Sequence, residues 1–409
     1  MNYSIIGGGS IHVLLQVKNA CIADVAVVNH RPLLLPNQLT GLTAENAVQS
    51  VSMLYSVCRM AQGLAACTAI EQAGGVEVAP AQKAARALLL HGETILEHAT
   101  SALLNWPVLL GKRPSAIAEL KMIRAHLAEL WRSLYPDGDW CRPGGGRLVP
   151  NPVALTDTLN AVEAALRQAR FLLSLEPGGW RASFSENPGP FAEMLHRLME
   201  KGWERCGASC TAFLNPEDVA TLERRMAETG DAFIAQPEWQ GEPAETGALA
   251  RRRAEPVLQE AIAEYGEGLL VHFLAQCVDT LCCLREMRKL VEELRVDDGI
   301  RMSVTEGVGL GVVEAARGVL AHRVEIAEGL VRRYQILAPT EWNFHPRGAF
   351  VRGLHGMSGT SMETFAQLMV AAFDPCVSCQ IEMCGASHVS PAFVLAEGND
   401  RACSAHAWK

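Results

Sequence analysis

The 409-residue chain contains no apolar run as long as the roughly 18–20 residues that span a bilayer. It also lacks a basic N-terminal segment followed by an apolar core and a cleavage site, the pattern of a secretory signal. Basic residues are few, since 36 lysines and arginines stand against 45 aspartates and glutamates and the net charge is −9. These absences predict a cytoplasmic protein with no membrane insertion and no nucleic acid partner.

The cysteine pattern gives no sign of a disulfide framework. Thirteen cysteines, an odd number in a long chain without an export signal, predict reduced thiols that either fill the core or bind metal. Free cysteine in an apolar helix behaves as a small hydrophobic residue. Six cysteines in apolar helical stretches are predicted to have this role: Cys67, Cys206, Cys210, Cys277, Cys282 and Cys283.

Hydrophobic periodicity predicts strands at the start of the chain and helices through its middle. Residues 11–17 and 22–28 alternate as two paired strands would. No segment between the helical stretches has the length of a flexible linker, and no internal repeat occurs. The predicted helices cover residues 43–73, 79–104, 114–134, 152–174, 187–205, 216–229 and 249–295.

After residue 297 the pattern returns to strands. Residues 304–313 and 319–326 are rich in β-branched residues and glycine, and a short helix is predicted at residues 361–372. The overall prediction is a single α+β domain, predominantly α, with a long central helical bundle and small flanking sheets. Its predicted parts are N-terminal strands at 1–30, a helical bundle at 43–296, a strand and loop region at 297–383 and a tail at 384–409.

A C-x-x-C pair stands near the end of the chain. Cys376 and Cys379 have a spacing at which two thiolates can bind one metal ion. Cys384 and His388 extend the pattern to C-x2-C-x4-C-x3-H, which matches a local tetrahedral zinc site. No second C-x-x-C is present to form a larger zinc ribbon. The residues alone therefore leave open a zinc site in the tail, to which Cys403 and His406 are further candidate ligands, or no metal at all.

Several other polar residues, considered one at a time, are explained by common structural roles. Arg317 stands three residues after Glu314, so an ion pair between them is a common arrangement. A lone histidine is more often a hydrogen-bonded structural residue than a metal ligand. This reading applies to His322, His345 and His355.

Short motifs follow one another in a specific order over the last third of the chain. They are Glu314-Ala315-Ala316-Arg317-Gly318, His322, Tyr334, Ala338-Pro339-Thr340, Trp342-Asn343, Pro346-Arg347 and Phe373-Asp374-Pro375-Cys376-Val377-Ser378-Cys379. In this order they resemble the C-terminal third of nickel-iron hydrogenase large subunits. Residues 57–65, V-C-R-M-A-Q-G-L-A, resemble a degraded copy of the same family's N-terminal R-x-C-G-x-C-x-x-x-H motif. The resemblance implies the large-subunit fold for the chain.

The departures from the family pattern concern the metal ligands. In the family, the first cysteine of each C-x-x-C pair binds nickel and the second bridges nickel and iron. Mapped residue by residue, Cys58 and Cys379 keep both bridging positions and Cys376 keeps one nickel position, whereas Tyr55 occupies the other. Gln62 replaces the histidine of the N-terminal motif. The resemblance therefore implies an iron site on these three cysteines and argues against bound nickel.

The resemblance also implies donors for the ligands of the iron. In the family, the cyanide ligands accept hydrogen bonds from the arginine of an E-A-P-R-G motif and from the hydroxyl of a P-[ST]-x-W-N motif. These positions are Arg317 and Thr340 here, and both side chains suit a terminal cyanide nitrogen. Two family features are missing. The family has an acidic residue near its N-terminus, but the aligned residues 8–10 of this chain carry no carboxylate. The family also has a histidine at the maturation cleavage site, and Glu382 replaces it here.

With an iron site kept and the nickel site incomplete, the chain resembles hydrogenase accessory proteins of the HupK/HoxV type. The resemblance implies a non-catalytic scaffold or chaperone that transiently carries iron with cyanide and carbon monoxide ligands before its transfer to the hydrogenase large subunit. The implied partners are a small cofactor-delivery chaperone, other maturation proteins and the apo large subunit. Two alternatives stay open, a divergent catalytic nickel-iron hydrogenase and a metal-free or zinc-binding interaction protein with the inherited fold.

Overall fold

The structure is a computed structural model that describes residues 9–30, 35–55, 57–171, 174–181, 188–215 and 219–385. Its strands are β1 Ser10–Lys18, β2 Cys21–Asn29, β3 Ala212–Phe213, β4 Ala244–Glu245, β5 Gly307–Ala315, β6 Gly318–Ala327, β7 Leu330–Leu337 and β8 Ser378–Cys384. Its helices are α1 Ala44–Leu54, α2 Arg59–Ala73, α3 Pro80–Thr100, α4 Trp106–Leu109, α5 Ile117–Leu134, α6 Pro152–Gln168, α7 Pro190–Lys201, α8 Val219–Thr229, α9 Asp231–Ala235, α10 Ala248–Arg252, α11 Pro256–Tyr265, α12 Leu269–Glu293, α13 Pro339–Asn343, α14 Ala349–Leu354 and α15 Met362–Phe373. A π-helical turn, Ser101–Asn105, joins α3 to α4.

The predicted α+β class with helical predominance is confirmed, but two predicted helices are not continuous. The stretch 43–73 is interrupted after Leu54 and resumes at Arg59, so Cys58 lies at the break. The stretch 249–295 forms α10, α11 and α12 because Pro256 begins a new helix and Gly266 ends it. Proline fits the first turn of a helix but not its interior, and glycine readily takes the positive φ of 69° found at Gly266.

The N-terminal sheet brings the two ends of the chain together. Strand β1 pairs with β2 in antiparallel fashion and with β8 in parallel fashion, so the strand order is β2-β1-β8. Ile11 lies opposite Cys379 in this register. Alternate residues of a strand point to opposite faces, and Ile11, Val13 and Leu15 are fully buried on the face that meets the helices. Strand β8 therefore carries the second cysteine of the C-x-x-C pair into the sheet.

The second sheet, in the order β5-β6-β7, packs closely on α2. The glycines at 307, 309 and 311 recur every two residues and line one face of β5. They meet the alanines at 73, 69 and 65, which recur every four residues along one face of α2. A Cβ atom added at Gly309 or Gly311 would lie 2.0 Å from a helix carbonyl oxygen. Only glycine permits this approach, which fixes α2, and with it Cys58, against the sheet.

The main core lies between the long helices. Helices α3 and α12 pack along each other, and Trp106 and Phe273 meet edge to face with ring centroids 5.0 Å apart. This large, apolar, aromatic interior agrees with the predicted helical bundle. Among the described residues, none of the helices is both long and apolar enough to cross a membrane.

The prediction that six cysteines are core residues is confirmed for four of them. Cys67, Cys277, Cys282 and Cys283 are buried, whereas Cys206 is half-buried and Cys210 is exposed. Residues 206 and 210 follow the end of α7 and lie in a non-helical segment. The periodicity of a helix therefore does not apply to them, and the prediction is wrong for Cys210.

Candidate metal centre

A cavity of about 20 Å³ lies where α2, α3, the β5–β6 turn, α13 and the C-terminal C-x-x-C meet. This volume has room for one or two water-sized ligands. The cavity is lined by Cys58, Gln62, Glu93, Glu97, Ala315, Ala316, Arg317, Leu320, Ala338, Pro339, Thr340 and Cys376. Thus Cys58, Cys376, Arg317 and Thr340, which the sequence singled out, share one small space although they come from four separate parts of the chain.

Cys58 occupies the N-cap position of α2, and its side chain does not cap the helix. Glu93 of α3 does so instead, since one of its carboxyl oxygens accepts from Met60 N at 2.7 Å and the other from Ala61 N at 3.0 Å. The first amide groups of a helix need hydrogen-bond acceptors, which the side chain of the N-cap residue often provides. Cysteine is a poor acceptor for this purpose. The glutamate thus leaves the Cys58 thiol available to the cavity.

Burial raises the pKa of Glu93 from 4.5 to about 8, although the two backbone hydrogen bonds lower it. The pKa of Glu93 is thus higher in the folded than in the unfolded protein. The free energy of unfolding is therefore highest below the unfolded pKa and falls as the pH rises toward the folded pKa. Glutamine does not titrate. Between about pH 6 and pH 7, wild-type unfolding free energy is expected to fall by roughly 1 kcal/mol relative to that of Glu93→Gln.

Urea unfolding at several pH values measures this difference. Glu129→Gln is the control, because Glu129 is an exposed partner of Arg132 whose replacement should give no comparable slope. Parallel stability curves for wild type and Glu93→Gln would show that Glu93 is ionised in the folded protein.

The thiols of Cys58 and Cys376 contact each other. The hydrogen bond with Cys376 and burial both raise the pKa of Cys58 well above its usual value, whereas Arg317 lowers it. Thr340 Oγ1 lies 3.7 Å from Cys376 Sγ. At neutral pH the Cys58 thiol therefore keeps its proton. A thiophilic metal ion can displace that proton, and binding then strengthens as the pH rises.

Arg317 lies on the β5–β6 turn and forms partly buried ion pairs on both sides. Its Nη1 donates to Glu97 Oε2 at 2.8 Å, and its Nη2 lies 3.2 Å from Asp374 Oδ2. Burial alone would lower the pKa of the guanidinium, but Asp374 and Glu97 raise it, so the group is permanently charged. The ion pair of Arg317 with Glu314 that its sequence spacing suggests is not formed, because Glu314 pairs with Arg251.

Gln62, which replaces the family's histidine, connects Cys58 to a buried polar chain. Gln62 Nε2 donates to Cys58 Sγ at 3.7 Å, and Gln62 Oε1 lies 2.9 Å from His322 Nε2. His322 Nδ1 lies 2.8 Å from the Tyr334 hydroxyl. Because the Gln62 carbonyl oxygen can only accept, the hydrogen of its bond with His322 lies on Nε2. His322 therefore has a hydrogen-bonding role, and no metal is needed to explain it.

Cys379 does not line this cavity. It packs with Ile381 against the helical core, and burial raises its pKa to about 12. Within the part of the chain that the structure describes, the sulfurs of Cys58, Cys376 and Cys379 do not form a cluster with all ligand atoms within 4.8 Å of one another. The structure thus pairs Cys58 with Cys376, whereas the family resemblance makes Cys58 and Cys379 the two bridging ligands. The metal-binding role of all three stays a prediction.

The predicted zinc site in the tail is only partly covered by the structure. Cys384 is buried at the end of β8, while His388, Cys403 and His406 lie outside the described residues. Of the other candidate histidines, His345 is buried, and its Nδ1 accepts from Arg347 N at 3.0 Å.

Sequence reasoning missed Glu93 and Glu97, which form two walls of the cavity. Both lie on α3, four residues apart, in a stretch of the helix that also buries Leu88, Leu89 and Ile95. Carboxylates at this spacing share one helix face. Two acidic residues inside an apolar helical pattern are a signal that could have marked them as site residues.

Comparison with known proteins supports the predicted resemblance. The family of nickel-dependent hydrogenases matches residues 269–382. The hydrogenase expression/formation protein HupK of Rhizobium leguminosarum bv. viciae is 29% identical over 390 residues, covering 93% of this chain and 98% of HupK. The hydrogenase expression/formation protein HupV of Azotobacter chroococcum mcd 1 is 28% identical, covering 92% and 98%.

The fold is also that of a solved hydrogenase. The Ni-Fe-Se hydrogenase from D. vulgaris Hildenborough in the reduced state matches with a TM-score of 0.65 at 17% identity, covering 88% of this chain and 94% of that one. The predicted resemblance is thereby confirmed: the chain is similar over most of its length to hydrogenase expression/formation proteins, and it has the fold of a nickel-containing hydrogenase subunit.

Proposed function

We propose that this chain is a hydrogenase maturation protein that carries the iron–dicyano–carbonyl part of the nickel-iron cofactor before its transfer to the hydrogenase large subunit. The names of its relatives, hydrogenase expression/formation proteins, support the maturation role. The observation that carries the finer proposal is the contact between the Cys58 and Cys376 thiols in a cavity that also holds Arg317 and Thr340.

The donor set suits this cargo. Two thiolates are soft ligands for an iron that also binds cyanide and carbon monoxide. When the ion binds, one proton leaves each thiol, and the nearby Arg317 guanidinium compensates part of the new negative charge. The Arg317 guanidinium and the Thr340 hydroxyl are donors that can serve terminal cyanide nitrogens.

Loading requires the cavity to widen. A volume of about 20 Å³ admits an ion with one or two small ligands, which is less than the complete iron unit needs. Cys376 lies in the half-buried turn at residues 374–377, between α15 and β8. We propose that this turn moves outward to admit the cargo, which would also let Cys379 approach the iron.

Release is the second requirement of a carrier. A centre with few thiolate ligands holds its ion less tightly than one with a complete set. With Tyr55 at the remaining cysteine position of the family, this chain has no fourth thiolate for a nickel ion. We therefore propose binding and transfer without catalysis, with a small cofactor-delivery chaperone, other maturation proteins and the apo large subunit as partners.

The proposal is tested by isolating the full chain without oxygen from cells that contain the hydrogenase maturation proteins. Iron content and the infrared bands of bound cyanide and carbon monoxide are then measured. We expect iron with both sets of bands in the wild type and their loss in Cys58→Ala and Cys376→Ala. Cys379→Ala should also reduce them if the turn moves as proposed.

Cys206→Ala is the matched control, because Cys206 is a half-buried thiol that does not line the cavity. It should keep both iron and bands. Wild-type protein without iron bands, or bands that persist in Cys58→Ala and Cys376→Ala, would overturn the carrier role. Iron and infrared bands that are retained in Cys206→Ala but lost in Cys58→Ala and Cys376→Ala would support the carrier role.

A further inference from the structure

A second group of metal-ligating side chains lies between α3 and α12. His91 of α3 faces Cys283 and Glu286 of α12, and one ligand atom from each lies within 4.8 Å of the other two. Cys283 and Glu286 are three residues apart and thus share a helix face. None of the three lines the cavity of Cys58 and Cys376. We propose that these residues form a separate binding site for a divalent transition-metal ion, with zinc as the expected occupant.

The donor chemistry carries this assignment. One imidazole nitrogen, one thiolate and one carboxylate oxygen are typical protein ligands of zinc, and a water can complete the tetrahedron. Burial lowers the pKa of His91, so its ring is available as the neutral ligand. His91 Nε2 already lies 3.6 Å from Glu286 Oε2.

The cluster is partly exposed to solvent. The side chains of His91 and Glu286 are 23% and 30% exposed, whereas Cys283 is buried. An ion can therefore reach the imidazole and the carboxylate from the solvent. This graded burial distinguishes the cluster from a solvated surface group.

Carboxylates close to the cluster are compatible with a bound cation. Buried Asp279 and the carboxylates of Glu286 and Glu314 pair with the guanidiniums of Arg251 and Arg252. A divalent ion that binds while Cys283 loses its proton adds one net positive charge, which these carboxylates can offset.

Arg252 forms hydrogen bonds to both Glu286 and Asp279. Arg252 Nη2 donates to Glu286 Oε2 at 2.7 Å, and its Nε donates to Asp279 Oδ1, also at 2.7 Å. When an ion takes the Glu286 carboxylate, Arg252 keeps its bond to Asp279. Arg252 Nη2 also lies 3.8 Å from Cys283 Sγ, where its charge stabilises the thiolate that the ion requires.

Metal binding at this site should strengthen with pH. Burial raises the pKa of the Cys283 thiol, so one proton must leave as the sulfur–metal bond forms. The charged or titratable groups that face this thiol are Asp279 and Glu286 of its own helix, Arg251 and Arg252 of α10, and His91 of α3. The arginines favour the thiolate, and the carboxylates favour the bound cation.

The site is tested on the full chain carrying Cys58→Ala and Cys376→Ala, so that the first cavity contributes no thiolate. After treatment with a chelator, the protein is titrated with Zn²⁺ by calorimetry, and with Co²⁺ while thiolate-to-cobalt charge-transfer absorption is recorded. We expect zinc binding that is weakened at least about tenfold by His91→Ala and by Cys283→Ala. The cobalt–thiolate absorption should disappear in Cys283→Ala.

Cys282→Ala is the control, because Cys282 is the adjacent buried thiol on the same helix and is not part of the cluster. The zinc affinity of Cys282→Ala should match that of the parent protein, which carries only Cys58→Ala and Cys376→Ala. His91→Ala removes a partly exposed ligand and tests the site even if Cys283→Ala fails to fold. Zinc affinity unchanged by His91→Ala, or no zinc binding by the parent, would overturn the proposal.

Discussion

Replacing Asp279 with asparagine is expected to lower the free energy of unfolding by about 3–5 kcal/mol. Asp279 is fully buried in α12 and accepts from three cationic or imidazole groups. Arg251 Nη2 donates to it at 2.6 Å, Arg252 Nε at 2.7 Å, and His98 Nε2 lies 2.9 Å away. Burial alone would raise the pKa of Asp279, but Arg251 and His98 hold it well below its usual range.

The expected loss is large because asparagine leaves two buried guanidiniums without their shared carboxylate. The amide also directs N–H donors at groups that can only donate. Breaking a buried ion pair by removing one partner costs far more than removing an exposed pair, which is worth at most about 1 kcal/mol. Urea unfolding followed by tryptophan fluorescence measures the change.

The exposed Glu129–Arg132 pair supplies the control for Asp279→Asn, and Glu129→Gln should change stability by less than about 1 kcal/mol. A similarly small effect for Asp279→Asn would contradict the interpretation. The substitution is also expected to affect the candidate metal centre. Arg251 connects Asp279 to Glu314 at 2.7 Å and to the carbonyl of Ala315 at 3.1 Å, next to the turn that carries Arg317.

Replacing Arg317 with methionine should lower the unfolding free energy by a similar amount, about 3–5 kcal/mol, and should also impair iron retention. The substitution leaves Glu97 and Asp374 as partly buried carboxylates without their partner. It also removes the charge that lowers the pKa of Cys58. The thiolate becomes harder to form, and a donor for the proposed cyanide ligands is lost.

Two variants separate these effects. Adding Glu97→Gln to Arg317→Met should restore part of the stability, because one unpaired charge is removed, but it should not restore the iron bands. Arg323→Met is the matched control: Arg323 is a similarly buried arginine of β6 that pairs with Glu223 and does not line the cavity. It should lose stability and keep iron. Equal iron retention in Arg317→Met and wild type would show that Arg317 serves only the fold.

Much of the fold could be predicted from local patterns. The alternation at residues 11–17 and the β-branched stretches after residue 304 correspond to strands, and most helical stretches correspond to helices. The break at Cys58 could not be predicted in this way. A short interruption without proline or glycine changes helical periodicity little, and the new helix forms because Glu93, distant in sequence, caps it.

Strand β8 is a second element that local sequence patterns could not predict. Its residues follow a C-x-x-C motif that the sequence associates with metal binding, and their exposure gives only a weak alternating pattern. The strand exists because β1 offers an edge for parallel pairing. Pairing between segments from opposite ends of the chain depends on tertiary packing, which a local window of sequence does not contain.

The amino-acid sequence by itself determined the helix-rich α+β pattern, the resemblance to hydrogenase large subunits and the choice of Cys58, Cys376, Cys379, Arg317 and Thr340 as candidate site residues. Only the tertiary structure decided their partners. It pairs Arg317 with Glu97, 220 residues away in sequence, and not with nearby Glu314. The physical reason is that periodicity depends on chain neighbours, whereas the choice among buried charge partners depends on which side chains packing brings within a few ångströms.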